Sequence, residues 1–87
     1  MKYKIIIDSS LKKQFKVIPQ KTSRIIVKNI ENLSDNPRPQ GYKKIKGAIN
    51  KYRIRTGNYR IIYSITDDIL TIEIIKIGHR KDIYKNL

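Results

Sequence analysis

Apolar residues change their spacing once along this chain, and the change divides it into a helical part and a sheet part. Over Lys2–Ile7 the β-branched residues predict a short strand, and Asp8-Ser9-Ser10 behind it reads as a helix N-cap. Leu11, Phe15 and Ile18 then recur at i, i+4 and i+7, one face of a short helix. Pro19 ends that helix and can occupy the first turn of another, where its missing N–H costs nothing. Thr22, Ile25, Ile26, Ile30 and Leu33 carry the second helix for about three turns, packed antiparallel on the first. Ser34–Gly41, with Asn36-Pro37-Arg38-Pro39 inside it, is a loop, because each proline removes a donor and biases its predecessor towards extended backbone. From Tyr42 to Ile77, isoleucine, tyrosine and threonine alternate with polar residues, punctuated by Gly47, Gly57-Asn58 and Asp67-Asp68, which are hairpin signals.

The predicted architecture is α+β in a single domain over residues 1–87. It is a small antiparallel β-sheet with two N-terminal helices on one face and a short C-terminal segment, in the order β-α-α-β-β-β. Two consecutive helices also suggest a DNA-reading pair, but the second offers little beyond Lys21 and Arg24 at its N-terminal end.

One hairpin can be counted residue by residue. A two-residue turn at Gly57-Asn58 sets Thr56 opposite Tyr59, Arg55 opposite Arg60, Ile54 opposite Ile61, Arg53 opposite Ile62 and Tyr52 opposite Tyr63. Alternation then gathers Tyr52, Ile54, Ile61, Tyr63 and Ile65 on one face, which belongs to the helices, and Arg53, Arg55 and Arg60 on the other beside Ile62 and Ser64. A second two-residue turn at Asp67-Asp68 extends the apolar set with Leu70, Ile72 and Ile74, and the arginine side with Thr71, Glu73 and Ile75. Like charges directly opposite on a sheet cost roughly 0.2–1 kcal/mol. Arg55 against Arg60 is therefore read in two ways: both splay into water, or an anion lies between them, since guanidinium donors pair well with phosphate oxygens. Arg80 and Tyr84 follow the last strand, where a short segment can fold back to the same face.

Composition narrows the partners. Lysine and arginine number 20 against 7 aspartates and glutamates, a net charge of +13. With 39% hydrophobic residues the chain is a folded basic protein and no disordered tail. Such a charge favours polyanions, although a basic face can also be only a solvated surface. There is no cysteine, which excludes disulfides, thiolate zinc sites and cysteine nucleophiles. No apolar run reaches the ~18 residues of a membrane span, and Met1–Ile7 is too short and polar for a secretory signal, so the expected location is the cytoplasm, without a membrane partner.

Lys44-Ile45-Lys46-Gly47, Tyr52-Arg53-Ile54-Arg55, Gly57-Asn58-Tyr59-Arg60-Ile61-Ile62-Tyr63 and Gly78-His79-Arg80 with Tyr84 behind occur in an order that resembles the RelE branch of the RelE/ParE toxin superfamily of toxin–antitoxin pairs. The resemblance implies a small sheet under two helices whose opposite, concave face cuts mRNA in the ribosomal A site by attack of the RNA's own 2′-hydroxyl. It implies catalytic Arg60, Arg80 and Tyr84, with Lys43, Lys44, Lys46, Arg53 and Arg55 as RNA- and phosphate-binding positions; the family's lysines before the hairpin stand here as arginines. It also implies ribosome, mRNA and a cognate RelB-like antitoxin as partners, no cofactor and no metal. An acidic helical segment would complement the +13 charge, with apolar anchors around Ile62 and Ile75.

Tyr84 as general base requires surrounding positive charge to lower its pKa; a sheet anchor or a base-stacking surface are the other readings. His79 has a reference pKa near neutrality and is a second acid–base candidate, or simply a solvated strand end. Glu73 shares the arginine face and reads more simply as an ion-pair partner. Two other functions stay open: a ParE-like toxin acting on DNA gyrase, and a basic RNA-binding module without catalysis.

Overall fold

The computed structural model describes residues 2–81 and 83. The first strand, β1 (Lys4–Ile7), gives way to a 3₁₀ turn at Ser9–Leu11 capped by Asp8, whose Oδ1 accepts the Ser10 N–H at 3.0 Å. Helix α1 (Lys12–Val17) stops at Ile18, which takes the extended backbone favoured before proline. Pro19 is the N-cap of α2 (Gln20–Leu33) and its carbonyl accepts the Ser23 N–H at 2.9 Å. Ile26, Ile30 and Leu33 are buried along α2, whereas Ile25, expected with them, is half-exposed. It lies about 100° round the helix from Ile26 and falls off the buried stripe.

Four further strands, β2 (Lys43–Lys44), β3 (Lys51–Thr56), β4 (Tyr59–Thr66) and β5 (Thr71–His79), complete a sheet of order β1-β5-β4-β3-β2. The α+β class and the two-helix layer are as predicted, with two refinements. The β1 strand pairs in parallel with β5, Lys4 opposite Thr71 and Ile7 opposite Ile74, so the sheet is mixed. It covers an edge that β5 would otherwise present to solvent. The β2 strand adds a two-residue pairing, Lys43 opposite Arg53 and Lys44 opposite Tyr52.

The hairpin count is met at every predicted pair, from Thr56 opposite Tyr59 to Tyr52 opposite Tyr63. Gly57 makes the turn with φ of 59°, a left-handed conformation that glycine enters without a Cβ penalty. The next turn is longer than predicted. Asp67–Ile69 form a 3₁₀ turn and Leu70 takes φ of 47°, so Thr66 pairs with Thr71. Leu70 thereby leaves the strand. Because the slip is an even number of residues, Ile72 and Ile74 keep the apolar face and Glu73 the arginine side. A bulge at Ile75, between the pairs Tyr63–Ile74 and Ile62–Lys76, then reverses the count. Ile77 returns to the core opposite Ile61, Gly78 faces the arginine side opposite Arg60, and His79 stands opposite Tyr59.

Leu11, Ile18, Ile26, Ile30 and Leu33 pack against Ile54, Ile61, Tyr63, Ile65, Ile72, Ile74 and Ile77, which leaves the arginine side bare of helices. The proline loop is pinned at the sheet end away from Gly57. Buried Tyr63 donates its hydroxyl to the Pro37 carbonyl at 2.7 Å, and burial pushes its pKa up. Arg38 pairs with Asp67 at 3.1 Å over the Tyr52 ring, and the Tyr3 hydroxyl donates to Asp67 at 2.6 Å.

Candidate functional site

Strand register and one backbone bond assemble the site. Arg55 and Arg60 are directly opposed, which puts their Cβ atoms about 5 Å apart, and Arg53 is the next residue of β3 on the same face. The Arg80 N–H donates to the Asn58 carbonyl at 2.8 Å, tying the turn after β5 to the turn between β3 and β4. The result is a shallow open hollow of about 530 Å³ lined by Arg53, Arg55, Arg60, Arg80 and Lys81. Every lining residue is a cation.

These charges are not equally placed. Arg55, Arg80 and Lys81 are exposed. Arg60 is half-buried and its Nη1 donates to the carbonyls of Gly57 at 3.2 Å and Tyr59 at 3.1 Å, which fixes its guanidinium beside the turn. Arg53 is only 8% exposed, and its Nη1 has no hydrogen-bond partner among the described residues. A buried donor without an acceptor costs roughly 1–3 kcal/mol, more when charged. An anion entering the hollow would relieve the repulsion between Arg55 and Arg60.

Of the residues singled out in the sequence, Arg53, Arg55, Arg60 and Arg80 meet here, and Tyr84 lies outside the described residues. Lys43 shares the arginine face through its pairing with Arg53 but does not line the hollow, and Lys44, opposite Tyr52, belongs to the helix side. Lys46 sits in the turn before β3 with Ile45 and Ile49. His79 is set apart from the arginines: it faces Tyr59 on the helix side, ring centroids 5.8 Å apart, and its Nδ1 accepts the Lys81 N–H at 3.3 Å. Glu73 keeps the arginine face but lies opposite Ser64, four pairs along the ladder from Arg60. The expected apolar anchor Ile62 is fully buried between Arg53 and Lys76 in the register, and Ile75 is half-buried at the bulge, so neither is an exposed anchor. Long cationic side chains cover apolar surface with their stems while holding the charge in water. Lys81 was not anticipated. It enters through a turn whose path no local pattern specifies. Among the described residues no group of three or more His, Cys, Asp or Glu side chains could hold a metal ion.

A family model described as the ParE toxin of type II toxin–antitoxin systems matches residues 5–84. The chain belongs to the RelE/ParE toxins. Within them it is RelE-like: Toxin RelE3 of Methanocaldococcus jannaschii is 36% identical over 85 residues, covering 93% of this chain and 94% of that protein. The toxin in the archaeal RelE–RelB complex from Pyrococcus horikoshii superposes with a TM-score of 0.82 at 28% identity, covering 94% of this chain and 99% of the other. The RelB–RelE antitoxin–toxin complex from Methanococcus jannaschii gives a TM-score of 0.75 at 32% identity, with 94% and 98% covered. This RelE-like toxin therefore carries its all-cationic hollow on the sheet face that the family's two helices leave open.

Proposed function

We propose that this toxin is a ribosome-dependent mRNA endoribonuclease that inhibits translation. The observation that carries the reading is the hollow itself: five cations without an acid among them, one a nine-tenths-buried guanidinium lacking a partner for Nη1 among the described residues. In the reaction, the RNA's 2′-oxygen attacks the adjacent phosphorus, the bond to the 5′-oxygen breaks, and a cyclic phosphate and a 5′-hydroxyl result. One proton leaves the 2′-hydroxyl and one reaches the departing 5′-oxygen. Extra negative charge collects on the phosphorane oxygens. Arg60, fixed by two carbonyls, and Arg80, tied through its backbone to Asn58, are held to meet that charge, with Arg53 and Arg55 binding the flanking phosphate. At about 2–4 kcal/mol for each well-placed donor, Arg60 and Arg80 together account for three or more powers of ten in rate. Tyr84 is the proposed general base, since an arginine stays protonated.

The proposed partner in the cytoplasm is a cognate RelB-like antitoxin; RelE relatives solved as complexes with RelB support this. An acidic segment lying over the hollow would complement all five cations. The decisive experiment is primer extension on message from cells briefly expressing the toxin. Cuts within translated codons that disappear in the Arg60→Ala, Arg80→Ala double variant are expected. A second reading, gyrase poisoning, is favoured by the ParE description of the family model. Stalled replication with intact message would establish it in place of the nuclease.

A further inference from the structure

The turn after β5 carries Arg80 and Lys81, two of the five cations, yet both are exposed and their own side chains give the turn little to stand on. Among the described residues its backbone has three ties: Arg80 N–H to the Asn58 carbonyl at 2.8 Å, Ile83 N–H to the His79 carbonyl at 3.0 Å, and Lys81 N–H to His79 Nδ1 at 3.3 Å. Its apolar anchor is Ile83. That side chain is completely buried although it is no part of the main core under the helices. It sits at the stretch of β5 that β1 does not reach, lining a cavity with Gln14, Val17 and Ile18.

Gly78 explains how Ile83 gets there. Its φ lies outside the left-handed region, so the backbone does not require glycine. Space is tight. A Cβ built on Gly78 would lie 3.2 Å from Ile83 Cδ1, closer than ordinary van der Waals contact, so the isoleucine would have to give by a few tenths of an ångström. Gly78 is directly opposite Arg60, so its missing side chain belongs to the arginine face, and Ile83 fills part of that place.

We propose that Ile83, seated in the notch left by Gly78, is the positioning residue that holds Arg80 and Lys81 at the rim of the hollow. Its catalytic consequence rests on the nuclease reading above. The sequence supplies the pair Gly78 and Ile83, and the structure turns it into a lock: a small residue on the strand, a branched one folding back on it. Loss of either side of the lock removes no residue of the fold's main core and lets the turn move. Displacement of a charge-stabilising group by about 1 Å costs on the order of a hundredfold in rate.

The test uses the full chain and two readouts. Hydrogen exchange follows the Arg80 amide, and steady-state cleavage of ribosome-bound message follows catalysis. Ile83→Ala is expected to lower Arg80 amide protection about tenfold and kcat by about ten- to a hundredfold, with KM within about twofold of wild type. Gly78→Ala should lower kcat by a smaller factor. Ile83→Val removes Cδ1 and little else, so adding it to Gly78→Ala should restore kcat towards wild type, whereas two merely destabilising lesions would add. The positioning role is overturned if Arg80 protection in Ile83→Ala equals wild type, or if the Gly78→Ala, Ile83→Val variant is worse than Gly78→Ala alone. Should wild type cut no message while Arg80 protection changes as described, the lock stands and the nuclease reading falls.

Discussion

Arg38, on the helix side of the sheet and more than a third exposed, has Asp67 at 3.1 Å and the Tyr52 ring 5.5 Å from its guanidinium carbon. Arg53, on the other side and 8% exposed, leaves Nη1 without a partner among the described residues. Stability alone would arrange these the other way round, since an exposed ion pair contributes little and a buried donor without an acceptor is costly. On the helix side the polar groups serve the fold: Tyr63 reaches Pro37, Tyr3 and Arg38 reach Asp67, and the proline loop is closed over the core. On the arginine side like charges are held together with no acid among the residues lining the hollow. Sacrificed stability of this kind is what the proposed phosphate-binding role asks of this surface.

The largest test of the contrast lies between two adjacent isoleucines that are both fully buried, Ile61 in the helix-side core and Ile62 on the arginine side. Isoleucine-to-alanine substitutions cost about 2–5 kcal/mol, more where the surroundings cannot collapse into the cavity. Ile61→Ala should fall near the top of that range, because helices and sheet fix its neighbours. Ile62→Ala should fall near the bottom, because Arg53 and Lys76 flank it and long side chains can resettle. Urea unfolding measures both. Equal losses would mean that the arginine side is packed as firmly as the core.

A smaller effect of opposite sign comes from Arg53 itself. Arg53→Met keeps an apolar stem of similar length and removes the buried donor that lacks an acceptor, so it should raise stability by about 1–3 kcal/mol in urea while weakening binding to RNA. A variant that loses stability would show that the guanidinium serves the fold, and the comparison with Arg38 would fail.

Most of this contrast could be read in the sequence. Gly57-Asn58 fixed the strand register, and alternation then separated Tyr52, Ile54, Ile61 and Tyr63 from Arg53, Arg55 and Arg60. The parallel partner of β1 was not legible, because pairing between the first and last strands depends on how the whole chain closes. The bulge at Ile75 was hidden for a different reason: Ile74, Ile75 and Ile77 are chemically alike, so nothing in their pattern says which one is skipped. That bulge decides the site. Without it Gly78 would not face the arginine side and His79 would; the sequence-level case for His79 as an acid–base group rested on its reference pKa alone, which carries no information about that step. Arg80 was found by motif, whereas Lys81 needed the path of the turn.

The smallest effect tests whether the helix-side polar cluster acts only on the fold. Hydrogen bonds from Arg38 and then Tyr3 hold the Asp67 carboxyl below its ordinary pKa, and the same bond to Asp67 raises that of Tyr3. A carboxylate whose pKa is lowered on folding contributes stability above its unfolded pKa, near 4, and that contribution is lost as pH falls through the folded value. Asp67→Asn should therefore lower the melting temperature slightly at neutral pH. As pH falls from about 4 through the lower folded value, wild type loses the same interaction and the two melting temperatures should converge. RNA cleavage by Asp67→Asn at neutral pH should match wild type, because Asp67 lies at the end of β4 remote from Arg60. A gap that persisted in acid would assign the loss to the shape of the proline loop and not to the charge on Asp67. A variant that folded normally but cut poorly would couple the two sides of the sheet, which the pairing of Asp67 with Arg38, apart from the residues that line the hollow, argues against.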